Sequence, residues 1–343
     1  MPVTSRLCRR RCGSRRRVRL DHLRGEGLMA KPKITVLGSF AVGLTIRAPN
    51  MPVFGMTMFG NSFDMGPGGK GSNQAVATAR LGADSSLITL LGEDKFAEMA
   101  EELFAAEGVR TSYVERTSEA ATAVGFIVLN ERGENFIIMD YGAANLVNVS
   151  SVERAESAIS ESDVVMAVLE VPVAAAMRAM ELGHRSGKTT ILNPAPAAPI
   201  PDEIFPFVDY LTPNESELRI LLGLRPDDPR PSRQLVEMLR KRGARNVVVT
   251  LGSRGVLIVT DTVDVEIPAA KIDVVDTTGA GDAFNSGFAV GLAEGMNVLE
   301  AARLGVACGA LVCTKLGVIP GMATREAVDR MANTIPLPAL EGA

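Results

Sequence analysis

Short apolar runs recur along this chain, and most are followed by a segment with helical periodicity. The runs at 34–38, 86–92, 163–170, 189–194, 208–213 and 246–252 are brief, several are β-branched, and each reads as a buried strand. Between them, 72–81, 96–107, 173–185, 215–222 and 232–242 space their apolar residues for one covered helix face. Strand and helix in repetition mean a mostly parallel sheet with helices on both faces, because parallel neighbours need a crossover between them.

Two regions break that rhythm. Residues 44–64 and 121–140 read as antiparallel strands over 45–54, 56–65, 123–130 and 134–140, the last two joined by a polar turn at 131–134. They are expected to form one small sheet projecting from the large one. The last third changes character again, with helices of small apolar residues expected at 280–294 and 298–313.

Composition narrows the function classes. The chain has 343 residues, 46% of them hydrophobic, and no run approaches the length of a membrane span. Residues 1–28 carry nine arginines against two acids, about +7 of a net −4, which leaves −11 for the rest. A body that acidic repels polyphosphate backbones, so nucleic acid is excluded as a partner unless the arginine-rich head binds it alone. The head lacks the apolar core of a secretory signal; its arginines are compatible with an organellar transit peptide. Met29 opens AKPKITVLGS, which reads as a true start. We therefore expect 1–28 to be a disordered extension, 29–335 the folded body with lid strands at about 41–64 and 121–140, and 336–343 a tail. Four cysteines (Cys8, Cys12, Cys308, Cys313) and two histidines (His22, His184) form no disulfide framework or zinc spacing and suit a reducing, cytoplasmic setting. Proton transfer must then fall to a carboxylate or a lysine.

Four segments carry candidate chemistry. In Asp276-Thr277-Thr278-Gly279-Ala280-Gly281-Asp282, glycines lead directly into an apolar helix, so backbone N–H groups and the positive helix end converge into an anion hole. Asp282 at its mouth could take a proton from a hydroxyl attacking a phosphoryl group; alone, both aspartates also read as helix caps. Gly66-Pro67-Gly68-Gly69-Lys70-Gly71-Ser72-Asn73-Gln74 lets backbone approach a polar small molecule and offers Lys70 and Asn73 as donors, or is merely a loop entering a helix. It is not a Walker A loop, because Gly71 replaces the Ser or Thr after the lysine. Asn214-Glu215-Ser216-Glu217 follows a strand and suits either Mg²⁺ held through water or an ordinary capped helix. Thr250-Leu251-Gly252-Ser253-Arg254-Gly255 turns tightly between two apolar strands, as a nucleotide contact or a plain hairpin.

Together, Gly68 to Gln74 and Asp276 to Asp282, about 200 residues apart in that order, resemble the PfkB family of carbohydrate kinases in its ribokinase-like branch. Leu192 to Ala197, Thr212 to Glu217, Thr250 to Gly255 and Thr314 to Gly317 agree, so the resemblance spans about 32–335. It implies a three-layer α/β/α fold with a small β-sheet lid, homodimers formed through the lid, and ATP-dependent phosphorylation of a small sugar or polyol. Asp282 matches the base and Gly279, Ala280 and Gly281 the anion hole. Gly69, Lys70, Gly71, Asn73 and Glu170 match sugar contacts. Asn214, Thr250, Gly252, Ser253, Gly255 and Gly281 match the ATP site, with Glu217 near Mg²⁺. Asp276 and Thr278, with main-chain groups of Val312, Lys315, Gly317 and Gly321, match a monovalent-cation loop, usually K⁺. A nucleoside kinase of the same family and a non-catalytic sugar-binding relative are the rival readings.

One departure matters. Where the resembling sequences follow the first strand with an Asn-x-Asp that grips sugar hydroxyls, this chain has Ala41-Val42-Gly43. Losing a charged acceptor for a diol costs about 1.5 to 3 kcal/mol per bond. The expected acceptor is therefore a polyol, sugar or nucleoside-like alcohol that is less polar there than D-ribose.

Overall fold

The computed structural model describes residues 30–132 and 134–338, so the expected extension at 1–28 and the end of the tail lie outside the described residues. Strands are β1 (Lys33–Leu37), β2 (Ala41–Ala48), β3 (Ser62–Gly68), β4 (Asp84–Gly92), β5 (Arg110–Thr117), β6 (Ala123–Asn130), β7 (Asn135–Asp140), β8 (Val164–Val168), β9 (Thr189–Asn193), β10 (Tyr210–Leu211), β11 (Asn246–Thr250), β12 (Val256–Val259) and β13 (Asp264–Ile267). Helices are α1 (Lys70–Arg80), α2 (Lys95–Glu107), α3 (Val149–Arg154), α4 (Glu156–Glu161), α5 (Val173–Arg185), α6 (Glu215–Leu221), α7 (Ser232–Lys241), α8 (Ala280–Ala293), α9 (Val298–Val312), α10 (Val318–Gly321) and α11 (Arg325–Ala332).

Nine strands form the large sheet in the order β13-β12-β11-β10-β9-β8-β1-β4-β5. All pairings from β11 to β5 are parallel, and β12 and β13 add an antiparallel edge. Alternate side chains sort to opposite faces: Ile34, Val36, Met166 and Val248 meet α1, α2, α8 and α9, while Leu37, Val165, Ala167 and Val247 meet α3 to α7. These are the two helix layers that the sequence rhythm calls for. Strand order reverses at β1, which has β4 on one side and β8 on the other. The crevice beyond the C-terminal ends of strands at such a point is where open α/β sheets bind ligands.

The smaller sheet runs β3-β2-β6-β7. Across the two sheets the structure departs from the sequence expectation in three ways, two of them in this smaller sheet. The strands begin and end elsewhere: 49–61 forms no strand, because Pro49 and Pro52 cannot donate to a ladder, and β3 continues instead to Gly68. Second, β2 and β6 pair in parallel, Ala41 opposite Ala123, rather than antiparallel. Each leaves the large sheet after a parallel strand, β1 or β5, so both point the same way. The third departure is β5 itself, a polar, half-exposed edge strand that no apolar run announces.

Candidate active site

The helix starts at α1 and α8 create the site. Gly69 has φ 88°, and a Cβ there would lie 2.7 Å from the Ala41 amide nitrogen; at Gly71 a Cβ would lie 2.5 Å from the Gly38 carbonyl carbon. Main chain thus touches main chain where β1 exits beside α1, which only glycine permits. Gly279 begins α8 with φ 80°, leaving Gly279, Ala280 and Gly281 around its first turn, with Gly281 exposed. The Ala280 amide donates to the Thr277 carbonyl at 3.3 Å, while the Gly281 and Asp282 amides have no partner among the described residues.

Asp282, 4% exposed, is buried in this first turn. Asn73 Nδ2 donates to its Oδ2 at 2.9 Å and Gln74 Nε2 to its Oδ1 at 3.2 Å. Glu170, just beyond β8, accepts from Ser39 Oγ at 2.5 Å and from the Lys70 amide at 2.6 Å, both on Oε2. Burial pushes the Glu170 carboxyl above the usual range, against the pull of the Lys70 charge. Lys70 is itself held above its ordinary value by the charge of Asp282, against the cost of burial, with Glu170 and Glu217 adding. Asp282, Lys70 and both glutamates therefore share one electrostatic environment.

Asn214 and Glu217 cap α6 reciprocally: the Glu217 amide donates to Asn214 Oδ1 and Glu217 Oε2 accepts from the Asn214 amide, each at 2.8 Å. The helix-cap reading of this motif is therefore correct, and it leaves Glu217 Oε1 without a partner among the described residues. Burial raises the Glu217 carboxyl. A bridge joins Asn214 to Thr250, placing the β11–β12 turn beside this cap. Asn214, Ser216, Arg219, Thr250 and Gly252 line a cavity of about 450 Å³ there. Ser253 is exposed, whereas Gly255 is buried with φ 102°, and a Cβ on it would strike the Ile267 carbonyl. Packing against β13 thus accounts for that glycine.

Asp276 Oδ1 accepts from the Thr278 amide and hydroxyl at 2.9 and 2.6 Å, and Oδ2 from the Gly317 amide at 3.1 Å. Burial pushes this carboxyl up, but the Thr278 and Gly317 donors outweigh it and hold it below the usual range, with the Arg47 charge contributing. Gly321 packs on the Val312 carbonyl, and the Lys315 amide points to that same oxygen. The loop residues singled out in the sequence thus lie together.

Over the crevice, β2 contributes Ala41 and Gly43. Gly43 stands opposite Gly66 on β3 and Gly125 on β6, a row of three residues without side chains. A Cβ at Gly66 would meet nothing within 4 Å and at Gly43 only ordinary contacts, so the sheet does not need glycine at either. No polar side chain stands in this row.

Sequence reasoning missed Ser39, Gln74, Asn193, Thr212, Asn285 and Ser286, all buried. Gln74 was within reach, since it adjoins Asn73 on a helix that enters a glycine turn. The others show their role only through contacts with other segments, Ser39 with Glu170, Asn193 with Gln74, Thr212 with Asn285 and Ser286 with the Gln74 carbonyl.

Residues 31–325 match the family described as pfkB family carbohydrate kinase. A ribokinase of Haemophilus influenzae is 34% identical over 293 residues, covering 85% of this chain and 96% of the relative. A deoxyribokinase of Salmonella typhimurium is 35% identical over 257 residues, 75% of this chain and 84% of the relative. The structure of Arabidopsis thaliana ribokinase complexed with ribose and ATP superimposes with a TM-score of 0.80 at 28% identity, covering 88% of this chain and 99% of that one.

Proposed function

This chain belongs to the pfkB family of carbohydrate kinases, and we propose that it transfers the γ-phosphoryl group of ATP to a hydroxyl of a small sugar-like alcohol. The observation that carries this reading is Asp282, buried in the first turn of α8 with both oxygens held by donors from α1. A hydroxyl lying in the crevice gives its proton to Asp282 as it attacks in line. The amides of the Gly279–Gly281 turn receive the transferred oxygens, and the Lys70 ammonium, kept charged by its acidic neighbours, balances them. Glu170 holds the acceptor through its second oxygen. The lid sheet excludes water.

The donor sets fit the ions that such chemistry uses. Glu217 Oε1 suits Mg²⁺ held through water, and the all-oxygen set of Asp276, Thr278 and the carbonyls of Val312, Lys315, Gly317 and Gly321 suits a monovalent cation, K⁺ by family resemblance. When bound, Mg²⁺ neutralises phosphate charge; the cation would steady the turn that starts α8. The acceptor side is less polar than a ribose site, given Ala41 and the Gly66–Gly43–Gly125 row. The same flat row favours a nucleoside-like alcohol as the second reading. Phe63, Met65, Ile46, Phe126, Phe136 and Ile138 form an exposed apolar face on the opposite side of the lid, which supports a homodimer. The setting proposed is cytoplasmic; no described helix is long and apolar enough to cross a membrane.

A coupled ADP-release screen over pentoses, deoxypentoses and nucleosides tests both levels. Turnover is expected with at least one acceptor, and ribose is expected not to be the best. Ribose as best substrate with a micromolar KM overturns the acceptor assignment, and no phosphorylated acceptor at all overturns the kinase reading.

A further inference from the structure

Gln74 is fully buried on α1 and sits between two acceptors. Its Nε2 lies 3.2 Å from Asn193 Oδ1 and 3.2 Å from Asp282 Oδ1, one for each amide hydrogen. Its Oε1 is buried with no partner among the described residues. An orphaned buried acceptor is costly enough to need a reason.

The reason lies in the direction of the chain of hydrogen bonds. The main-chain oxygen of Thr212 can only accept, so Asn193 turns its amide nitrogen there, at 2.9 Å, and presents Oδ1 to Gln74. Gln74 must then present its nitrogen, because a flipped amide would set Oε1 against two acceptors. Its second hydrogen therefore always points at Asp282. The Thr212 hydroxyl donates to Asn285 Oδ1 at 2.6 Å, and Asn285 Nδ2 donates to the Gly281 carbonyl at 2.9 Å, closing the ring on the turn that carries Asp282. A backbone carbonyl thus dictates, through two amides, that this oxygen of Asp282 always meets a donor.

We propose that Gln74 is the positioning residue of the base, fixing the rotation of the Asp282 carboxylate through Oδ1 while Asn73 holds Oδ2. The remaining lone pairs are left for the incoming hydroxyl. The inference rests on the kinase reading. The charged groups within range of Asp282 are Lys70 on α1, Glu170 beyond β8 and Glu217 on α6.

Two variants of near-equal shape test it. In Gln74→Met the donor is gone: kcat falls about 10- to 100-fold while the KM for ATP stays within about twofold. In Gln74→Glu the introduced carboxyl donates when protonated and repels Asp282 when ionised. Its activity relative to Gln74→Met is therefore highest at the acid end and falls as pH rises. A purely structural role would lower both variants in parallel with their melting temperatures at every pH, and that result, or a kcat and pH profile equal to the parent's, overturns the proposal. A parent that phosphorylates no acceptor brings down the kinase reading along with this one; an active parent with indifferent variants brings down this one alone.

Discussion

On the wall of the crevice built by α1 and α8, Asn73, Gln74, Asp282, Asn285 and Ser286 are all 5% exposed or less and joined by hydrogen bonds. On the lid, Phe63, Phe126, Phe136 and Ile138 are each more than half exposed, and the face toward the crevice carries three glycines in a row. The first wall cannot lose a member without stranding a buried polar partner, at about 1 to 3 kcal/mol each. On the second, side chains can be exchanged at little cost to the fold. Under the proposed function, the contrast divides the labour: phosphoryl transfer, with the Glu170 grip on the acceptor, belongs to the buried wall, and discrimination among acceptors belongs to the lid.

The sharpest way to break that contrast is Asp282→Asn. If the buried wall does the chemistry, kcat falls by at least about 10² while nucleotide affinity by calorimetry is nearly unchanged; near-normal turnover would refute the division of labour. Next comes a pair of glycines. Gly279→Ala meets both a positive φ and a Val318 methyl 2.4 Å away, so turnover falls about tenfold or more and the melting temperature drops with it. Gly281→Ala has open space and should keep its melting temperature while losing kcat; equal thermal loss in both variants would show the turn serves the fold alone.

On the lid, Gly43→Asp restores an acceptor for a diol and should raise kcat/KM for ribose about tenfold or more relative to a less polar alcohol, with an unchanged melting temperature. An unaltered ratio moves specificity elsewhere. The smallest effect concerns pH. Glu170 is raised above its ordinary value of 4.5, so the folded state binds the proton more tightly than the unfolded chain does. The resulting stability is full below 4.5 and is lost as pH rises through the folded-state value. Glu170→Gln should therefore flatten the decline in melting temperature across that window by a few degrees, and identical pH curves for parent and variant would contradict the assignment.

Legibility followed the reach of each interaction. The large sheet's strands and helices show in the chain because burial on both faces imposes a period that any window of residues displays. The glycine-lysine turn and the Asp282 turn are equally visible, since a close backbone approach needs glycine at particular places. The lid was read only in outline: its register is set by where β1 and β5 release the chain, and two prolines moved its strand ends. Gln74 adjoined a visible motif, but the pairing of Gln74, Asn193, Thr212 and Asn285 did not show, because which amide faces which is settled between segments 19 to 208 residues apart.

The amino-acid order by itself determined the layered α/β architecture and the two glycine-led helix starts, which follow from local sterics and periodic burial, and it singled out Asp282 as the proposed base. Only the tertiary structure decided which donors hold that base, which face of the lid looks into the crevice, and that three glycines from three strands align there. Those are properties of contacts between distant segments, and no local pattern of side chains encodes them.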